Sequence, residues 1–236
     1  MKAFLLAAGL GTRLRPYTNT IPKCMIPFSG KPLLEIWLDL LGSHGVTDVL
    51  VNTHYLPEPV REFAAHWDGP AKLHLVHEPV LLGSAGTLVT NWEFTRGEES
   101  VLVCNADNLT DIDVSALAAF HGGHTGAVTL ALFRPANPRE CGIVELGPGG
   151  KIVSFEEKPA EPRSPLANGG IYLMRTAAVE PRLPKTLPVD IGRHLLPACL
   201  DSMYGWEWPG LLIDIGSPEL YERGQRAWEI SQSSRK

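Results

Sequence analysis

The sequence predicts a doubly wound α/β fold, with a mostly parallel, Rossmann-like sheet and a smaller antiparallel part. Three observations carry this expectation. Short runs rich in Val and Leu alternate with amphipathic stretches through the first half of the chain. A glycine turn, Gly9-Leu-Gly11-Thr12-Arg13, follows the first apolar run directly. The second half changes to closely spaced apolar runs broken by Gly and Pro, the texture of hairpins.

Taken in order, Ala3–Ala8, Asp48–Thr53, Leu73–Glu78 and Ser100–Asp107 read as buried strands. Between them Pro32–His44, Glu58–Trp67 and Ser84–Trp92 read as helices, with apolar residues three and four apart. Such alternation implies right-handed crossovers and parallel strands. Val128–Phe133 is a further strand. Gly142–Leu146 and Lys151–Phe155 flank the turn Gly147-Pro148-Gly149-Gly150 and read as a hairpin. Gly169–Met174 and Leu211–Ile215 are strands, Pro159–Pro165 with its three prolines is an exposed loop, and a helix runs from Pro218 to about Ser231. No repeat or linker appears, so one domain over residues 1–236 is expected.

With 44% apolar and 20% charged residues the chain can fill a sizeable core. A net charge of −5 argues against nucleic acid, whose backbone asks for a broad basic face. Cys24, Cys104, Cys141 and Cys199 are too scattered for a zinc cluster or a small disulfide framework. Free thiols in a reducing cytoplasm are expected. The first apolar run breaks at Gly9, too short for a signal sequence or a membrane span, so no membrane partner is expected. Oligomeric state leaves no mark in the sequence.

The chemistry begins at the glycine turn. Glycines let the backbone turn tightly, and amides aimed into one concavity bind phosphate oxygens. Thr12 adds a hydroxyl, Arg13 a planar charged fork, and Lys23 can fold back across Pro16–Pro22. A dinucleotide-binding or merely structural turn is the other reading. Leu14 stands where a G-x-G-x-x-G fingerprint needs its third glycine, and no GK[ST] follows.

Asp107 ends a strand, where α/β sheets bind ligands, and Asp214 lies between two isoleucines. Either could be a cap or a solvated acid; together they suit Mg²⁺. Asp111 and Asp113 read as loop and helix-cap residues. Gly83-Ser84-Ala85-Gly86 opens a helix with small residues, which let a ring or an anion approach. Glu156-Glu157-Lys158 on its own is a solvated charged edge.

The stretch LLAAGLGTRLRPYTNTIPKCMIPFSGKPLLE resembles the signature of the sugar-nucleotide pyrophosphorylases, GxGTR followed by a lysine. The likeness continues through EPVLLGSAGTL, NADNLTDID, CGIVE, FEEKP, NGG and LLIDIGSPELYERGQRA. It implies a Mg²⁺-dependent nucleotidyltransferase that joins a sugar 1-phosphate to a nucleoside triphosphate. A nucleotide half would run to about residue 133 and a sugar-phosphate half from about 134. Ala8, Gly9, Gly11, Thr12, Arg13 and Lys23 would hold the triphosphate, with Glu78, Gly83 and Gly86 beside the base. Asp107 and Asp214 would bind the metal. Gly142, Glu157, Lys158 and Asn168 would take the sugar phosphate, and Arg13, Lys23, Asp107 and Lys158 would be catalytic.

Two positions depart from the family pattern: Cys24, where proline commonly follows the lysine, and Ala106, where glycine usually precedes the aspartate. A carboxylate at Glu78 can accept from guanine N1–H and N2–H₂, which favours GTP, with a mannose- or heptose-like sugar 1-phosphate. A uridylyltransferase of cell-wall sugar recycling, a phosphocholine cytidylyltransferase and a non-catalytic sugar-nucleotide sensor stay open. No β-helix acyltransferase domain of the kind some relatives append is expected, since the sequence leaves no room for one after residue 236.

Overall fold

A computed structural model describes residues 1–233. Its strands are β1 (Lys2–Leu6), β2 (Pro27–Phe28), β3 (Lys31–Pro32), β4 (Asp48–Thr53), β5 (Lys72–His77), β6 (Ser100–Asn105) and β7 (Asn108–Thr110), then β8 (Val128–Phe133), β9 (Gly142–Leu146), β10 (Ile152–Glu157), β11 (Leu166–Arg175), β12 (Met203–Glu207) and β13 (Leu212–Asp214). The helices are α1 (Leu33–Ser43), α2 (Pro57–Ala65), α3 (Ser84–Thr90), α4 (Val114–Gly122), α5 (Thr176–Val179), α6 (Leu196–Cys199) and α7 (Pro218–Ser233). The chain gathers into two compact units that alternate along the sequence. The larger comprises Met1–Phe4, Leu81–Cys104 and Asp113–Pro209; the smaller comprises Leu5–Val80, Asn105–Ile112 and the stretch from Gly210 on.

In the smaller unit the strand order is β1-β4-β5, and β4 and β5 pair in parallel from Asp48↔Lys72 to Thr53↔His77. Leu33, Leu34, Ile36, Trp37, Leu38 and Leu41 of α1 are buried, at the three- and four-residue spacing that puts them on one helical stripe. Trp37 satisfies its indole by donating to Asn108 O over 2.8 Å, so truncating it to Ala would cost about 3–5 kcal/mol. β13 pairs antiparallel with β7, Asp214 opposite Asn108. The Tyr221 hydroxyl and Gln225 amide of α7 both donate to Pro27 O over 2.8 Å, tying the last helix to the loop that follows Lys23.

In the larger unit the order is β10-β9-β11-β6-β1, with β8 beside β11 and β12 beside β8. β11 runs antiparallel to β6, β8 and β9, whereas β12 lies parallel to β8. Parallel pairing in β4/β5 and antiparallel pairing in β8–β11 give the mixed α/β architecture that the alternation predicts. β11 starts at Leu166, earlier than the expected Gly169, because its register against β8 slips between Asn168 and Tyr172 and absorbs the glycine pair as a bulge. β10 runs on to Glu157, beyond the expected Phe155, since Glu156 and Glu157 pair with Ile143 and Gly142. Asp113 caps α4 as expected, accepting from Ala116 N over 2.9 Å.

Near the end of α4, His121 is buried against Thr129, with Nδ1 2.7 Å from its hydroxyl. Burial, helped by the Arg175 charge, pushes this imidazole down to about 4. Among the described residues no helix is long and apolar enough to cross a membrane.

Candidate functional site

The smaller unit carries the expected phosphate loop. Ala7 N donates to Asn52 Oδ1 over 2.7 Å, which fixes the exit from β1. Gly11 has φ 63°, in the left-handed region that favours glycine, and a Cβ there would lie 2.9 Å from Thr18 Cγ2. Thr18 closes the turn by donating to Gly11 O over 2.7 Å. Leu14 is buried beneath the turn while Gly9, Thr12 and Arg13 stay exposed. An apolar anchor thus leaves the polar groups to solvent.

Lys23 is buried, and its Nζ lies 2.6 Å from Asp107 Oδ2 and 3.3 Å from Asp214 Oδ1. The two acids meet because β13 pairs with β7 and Ile215 N donates to Asp107 O over 2.9 Å. A Cβ at Gly216 would stand 3.2 Å from Arg13 Nη2 and 3.3 Å from Asp214 Oδ2, so Arg13 approaches the same acid. Burial opposes the charge on Lys23, yet Asp107 and Asp214 outweigh it and hold the lysine above its ordinary pKa. Burial and then the neighbouring Asp107 push Asp214 up, while Lys23 and Arg13 pull it back. Two crowded carboxylates therefore share one ammonium. Cys24 is a buried thiol pushed up to about 12, which makes it inert packing beside the lysine.

Glu78 lies one residue past the end of β5 rather than ending the strand as expected, and its side chain is already engaged. Only 4% exposed, it accepts from Asn52 Nδ2 over 2.8 Å. Its own backbone N donates to Thr53 O over 2.8 Å. The sequence marks Asn52 only as a lone amide in the run Val49-Leu50-Val51-Asn52.

The larger unit holds the other expected residues, Gly83 and Gly86 among them. Gly83 has φ 80° and packs so closely on Val189 that any Cβ would strike its carbonyl. At Gly86 a Cβ would come within 2.8 Å of Leu82 Cβ. Gly142 faces Glu157 across the β9/β10 ladder, and a Cβ on it would lie 2.8 Å from Glu157 Oε2. Burial raises Glu157 above the usual carboxylate range; Lys158 works against this and Asp190 adds to it.

Lys158 has φ 53°, uncommon for a residue with a side chain, and its N donates to Cys141 O over 3.0 Å. Asn168 binds the bulge that follows it, donating to the Tyr172 hydroxyl over 2.8 Å and accepting from Gly170 N over 3.0 Å. Gly142, Glu157 and Lys158 are thus gathered at one end of the β9/β10 ladder. Asn168 sits nearby on β11, beyond the pair Ala167↔Ile143.

A mixed α/β fold with a Lys–Asp–Asp cluster at its strand ends is the class these features define. The chain belongs to the nucleotidyl transferase family, whose match covers residues 2–204. It is 31% identical over 233 residues to a mannose-1-phosphate guanyltransferase of Schizosaccharomyces pombe, across 95% of this chain and 63% of that protein. It is 34% identical over 261 residues to a UTP–glucose-1-phosphate uridylyltransferase of Synechocystis, across 98% of this chain and 64% of the relative. The chain therefore spans less than two thirds of the length of these curated relatives. Its fold matches a crystal structure of a Bacillus anthracis protein put forward as a glucose-1-phosphate thymidylyltransferase, in complex with sucrose. That match has a TM-score of 0.84 at 22% identity and covers 96% of this chain and 94% of the other.

Proposed function

We propose that this chain condenses a nucleoside triphosphate with a sugar 1-phosphate, giving an NDP-sugar and pyrophosphate. The observation that carries the reading is the Lys23 ammonium, 2.6 Å from Asp107 and 3.3 Å from Asp214, beside the glycine turn that bears Arg13. Relatives named for mannose 1-phosphate and glucose 1-phosphate support it.

An oxygen of the sugar 1-phosphate attacks the α-phosphorus as the bond from that phosphorus to the pyrophosphate oxygen breaks. The attacking oxygen is ionised at pH 7, so no general base is needed. Both reactants are anions, and the protein's work is to position them and neutralise charge. Arg13 and Lys23 take the departing pyrophosphate, and the amides of the Gly9–Thr12 turn take triphosphate oxygens. Lys158 orients the sugar phosphate, while Glu157 and Asn168 meet sugar hydroxyls.

Asp107 and Asp214 are the residues that would hold Mg²⁺. Their carboxylates come close enough to share one ammonium, and among the described residues no third acid, His or Cys joins them in a metal-holding group. That suits an ion that takes one or two carboxylates and completes its octahedron with water and phosphate oxygens. When bound it supplies positive charge for the phosphates.

GTP with a mannose- or heptose-like sugar 1-phosphate is the best-supported pair, through the Glu78 carboxylate and the fission-yeast relative. UTP is the second reading, which the Synechocystis relative favours. The buried thiols of Cys24, Cys104 and Cys199 suit a reducing cytoplasm. A phosphate-release assay with added pyrophosphatase tests the reading, run with four triphosphates against a panel of sugar 1-phosphates. Magnesium-dependent release with one pair is expected; silence across the panel would make the chain a binding protein.

A further inference from the structure

Gly192 lies in the five-residue π turn Ile191–Leu195 and is buried. Its φ is not in the left-handed region, so its backbone would accept alanine, which forms helical turns better. What a side chain there would meet is Glu157. A Cβ on Gly192 would lie 2.8 Å from Glu157 Oε2 and 3.4 Å from both Glu157 Cδ and Asp190 Oδ1. Gly83 is a contrast, since a Cβ there would strike a backbone carbonyl that cannot move aside.

The segment carrying Gly192 is pinned to the turn that opens α3. Val189 N donates to Leu82 O over 2.9 Å, and Val189 O accepts from Ala85 N over 3.1 Å and from Gly86 N over 3.2 Å. Ser84 and Asp190 complete a reciprocal clasp. The Ser84 hydroxyl donates to Asp190 Oδ2 over 2.8 Å and accepts from Ile191 N over 2.8 Å. The other Asp190 oxygen accepts from Arg193 N over 3.2 Å and so caps the turn around Gly192.

We propose that Gly192 is a positioning residue for Glu157: fixed by the Ser84–Asp190 clasp, its bare Cα sets where the Glu157 carboxylate lies when it meets sugar hydroxyls. The assignment of those hydroxyls to Glu157 rests on the function proposed above. Gly142 presses on the same oxygen from the ladder side, so Oε2 is confined between two glycines. One added methyl group on Gly192 must move the carboxylate, because a flexible carboxylate tip yields before a hydrogen-bonded turn does.

The test is Gly192→Ala in the full chain, read in two ways. Carboxyl-carbon NMR, with Glu157→Gln to assign the signal, should find the Glu157 titration moved down towards the ordinary carboxylate range as the tip leaves its buried place. An unmoved titration overturns the proposal whatever the enzyme does. In kinetics, KM for the sugar 1-phosphate should rise about tenfold, the effect of one misaligned hydrogen bond to a charged group, with KM for the triphosphate little changed. The rise should vanish in a Glu157→Ala background and shrink with Glu157→Asp, whose shorter side chain restores room. An equal rise without the carboxylate means Gly192 does not act through Glu157. A wild type that turns over no sugar 1-phosphate defeats the function, while the titration still decides whether Gly192 positions Glu157.

Discussion

Asn52 donates its side-chain amide to Glu78 Oε1 over 2.8 Å, and its own carbonyl oxygen accepts from Ala7 N over 2.7 Å. One buried amide in β4 therefore ties the mouth of the glycine loop to the residue expected to read the base. Asn52→Leu keeps the branched shape, at a larger volume, but takes a donor from a buried carboxylate and an acceptor from the loop. A loss of about 1–3 kcal/mol is expected in urea unfolding. An unchanged midpoint would mean that other partners make good both losses.

The acidic pair gives a sharper test. Asp107→Asn keeps shape and removes the charge that Lys23 and a metal would meet, so turnover should fall by orders of magnitude while circular dichroism stays native. A variant retaining more than about a tenth of wild-type activity has lost only ~1.4 kcal/mol of transition-state stabilisation, too little for a metal ligand.

The cations should divide between the substrates. Arg13 stands beside Asp214, whereas Lys158 stands at the Glu157 end of β10. Arg13→Ala should mainly raise the apparent KM for the triphosphate and Lys158→Ala that for the sugar phosphate. Opposite effects would mean that the two pockets have been exchanged.

His121 makes stability depend on acid. Its pKa is about 6.5 in the unfolded chain and about 4 in the fold, where burial and Arg175 disfavour its charge. Between those values the unfolded chain binds a proton that the folded one refuses, so stability falls as pH drops from 6.5 towards 4. From pH 7 to pH 5 the expected loss from this residue is about 2 kcal/mol. Urea unfolding of wild type and His121→Gln at both pH values isolates it. Equal slopes for the two proteins would clear His121 of the effect.

What the sequence made legible was local. Asp48–Thr53, Val128–Phe133 and Gly142–Leu146 are strands to the residue, since an apolar run between turn formers needs no distant partner to be recognised. The glycine turn is legible for the same reason. β12 was not, because Gly205 interrupts it and its justification is parallel pairing with β8, far back in the chain. Asp190 and Ser84 are 106 residues apart, and Lys23 meets acids 84 and 191 residues away. Such meetings leave no periodicity in the sequence. Only the family resemblance ties Lys23 to Asp107 and Asp214, Asn52 is marked by no more than a lone amide in an apolar run, and nothing marks Asp190.

The base preference turns on what Asn52 does to residue 78. Guanine offers two donors on its Watson–Crick edge, whereas uracil offers one donor between two acceptors. A carboxylate suits the first, and against uracil it would set oxygen against oxygen while shedding its own water. Wild type should therefore prefer GTP to UTP. Glu78→Gln has a definite orientation, because Asn52 Nδ2, 2.8 Å from Oε1, must keep an acceptor in that place. The new amide carbonyl is held there, and its NH₂ takes the place of Oε2, turning an acceptor into a donor. The GTP preference should narrow by about 1–2 kcal/mol, the effect of one mispaired buried hydrogen bond. Combining Asn52→Asp with Glu78→Gln reverses the polarity of the pair and makes the amide orientation itself testable. The introduced amide would then donate to the introduced carboxylate and present its carbonyl to the base instead. The double variant should therefore recover part of the GTP preference that Glu78→Gln loses. A wild type that uses UTP better than GTP ends the guanine argument and leaves the nucleotidyltransferase reading intact. A Glu78→Gln variant with an untouched preference removes Glu78 from base reading, whichever triphosphate wins.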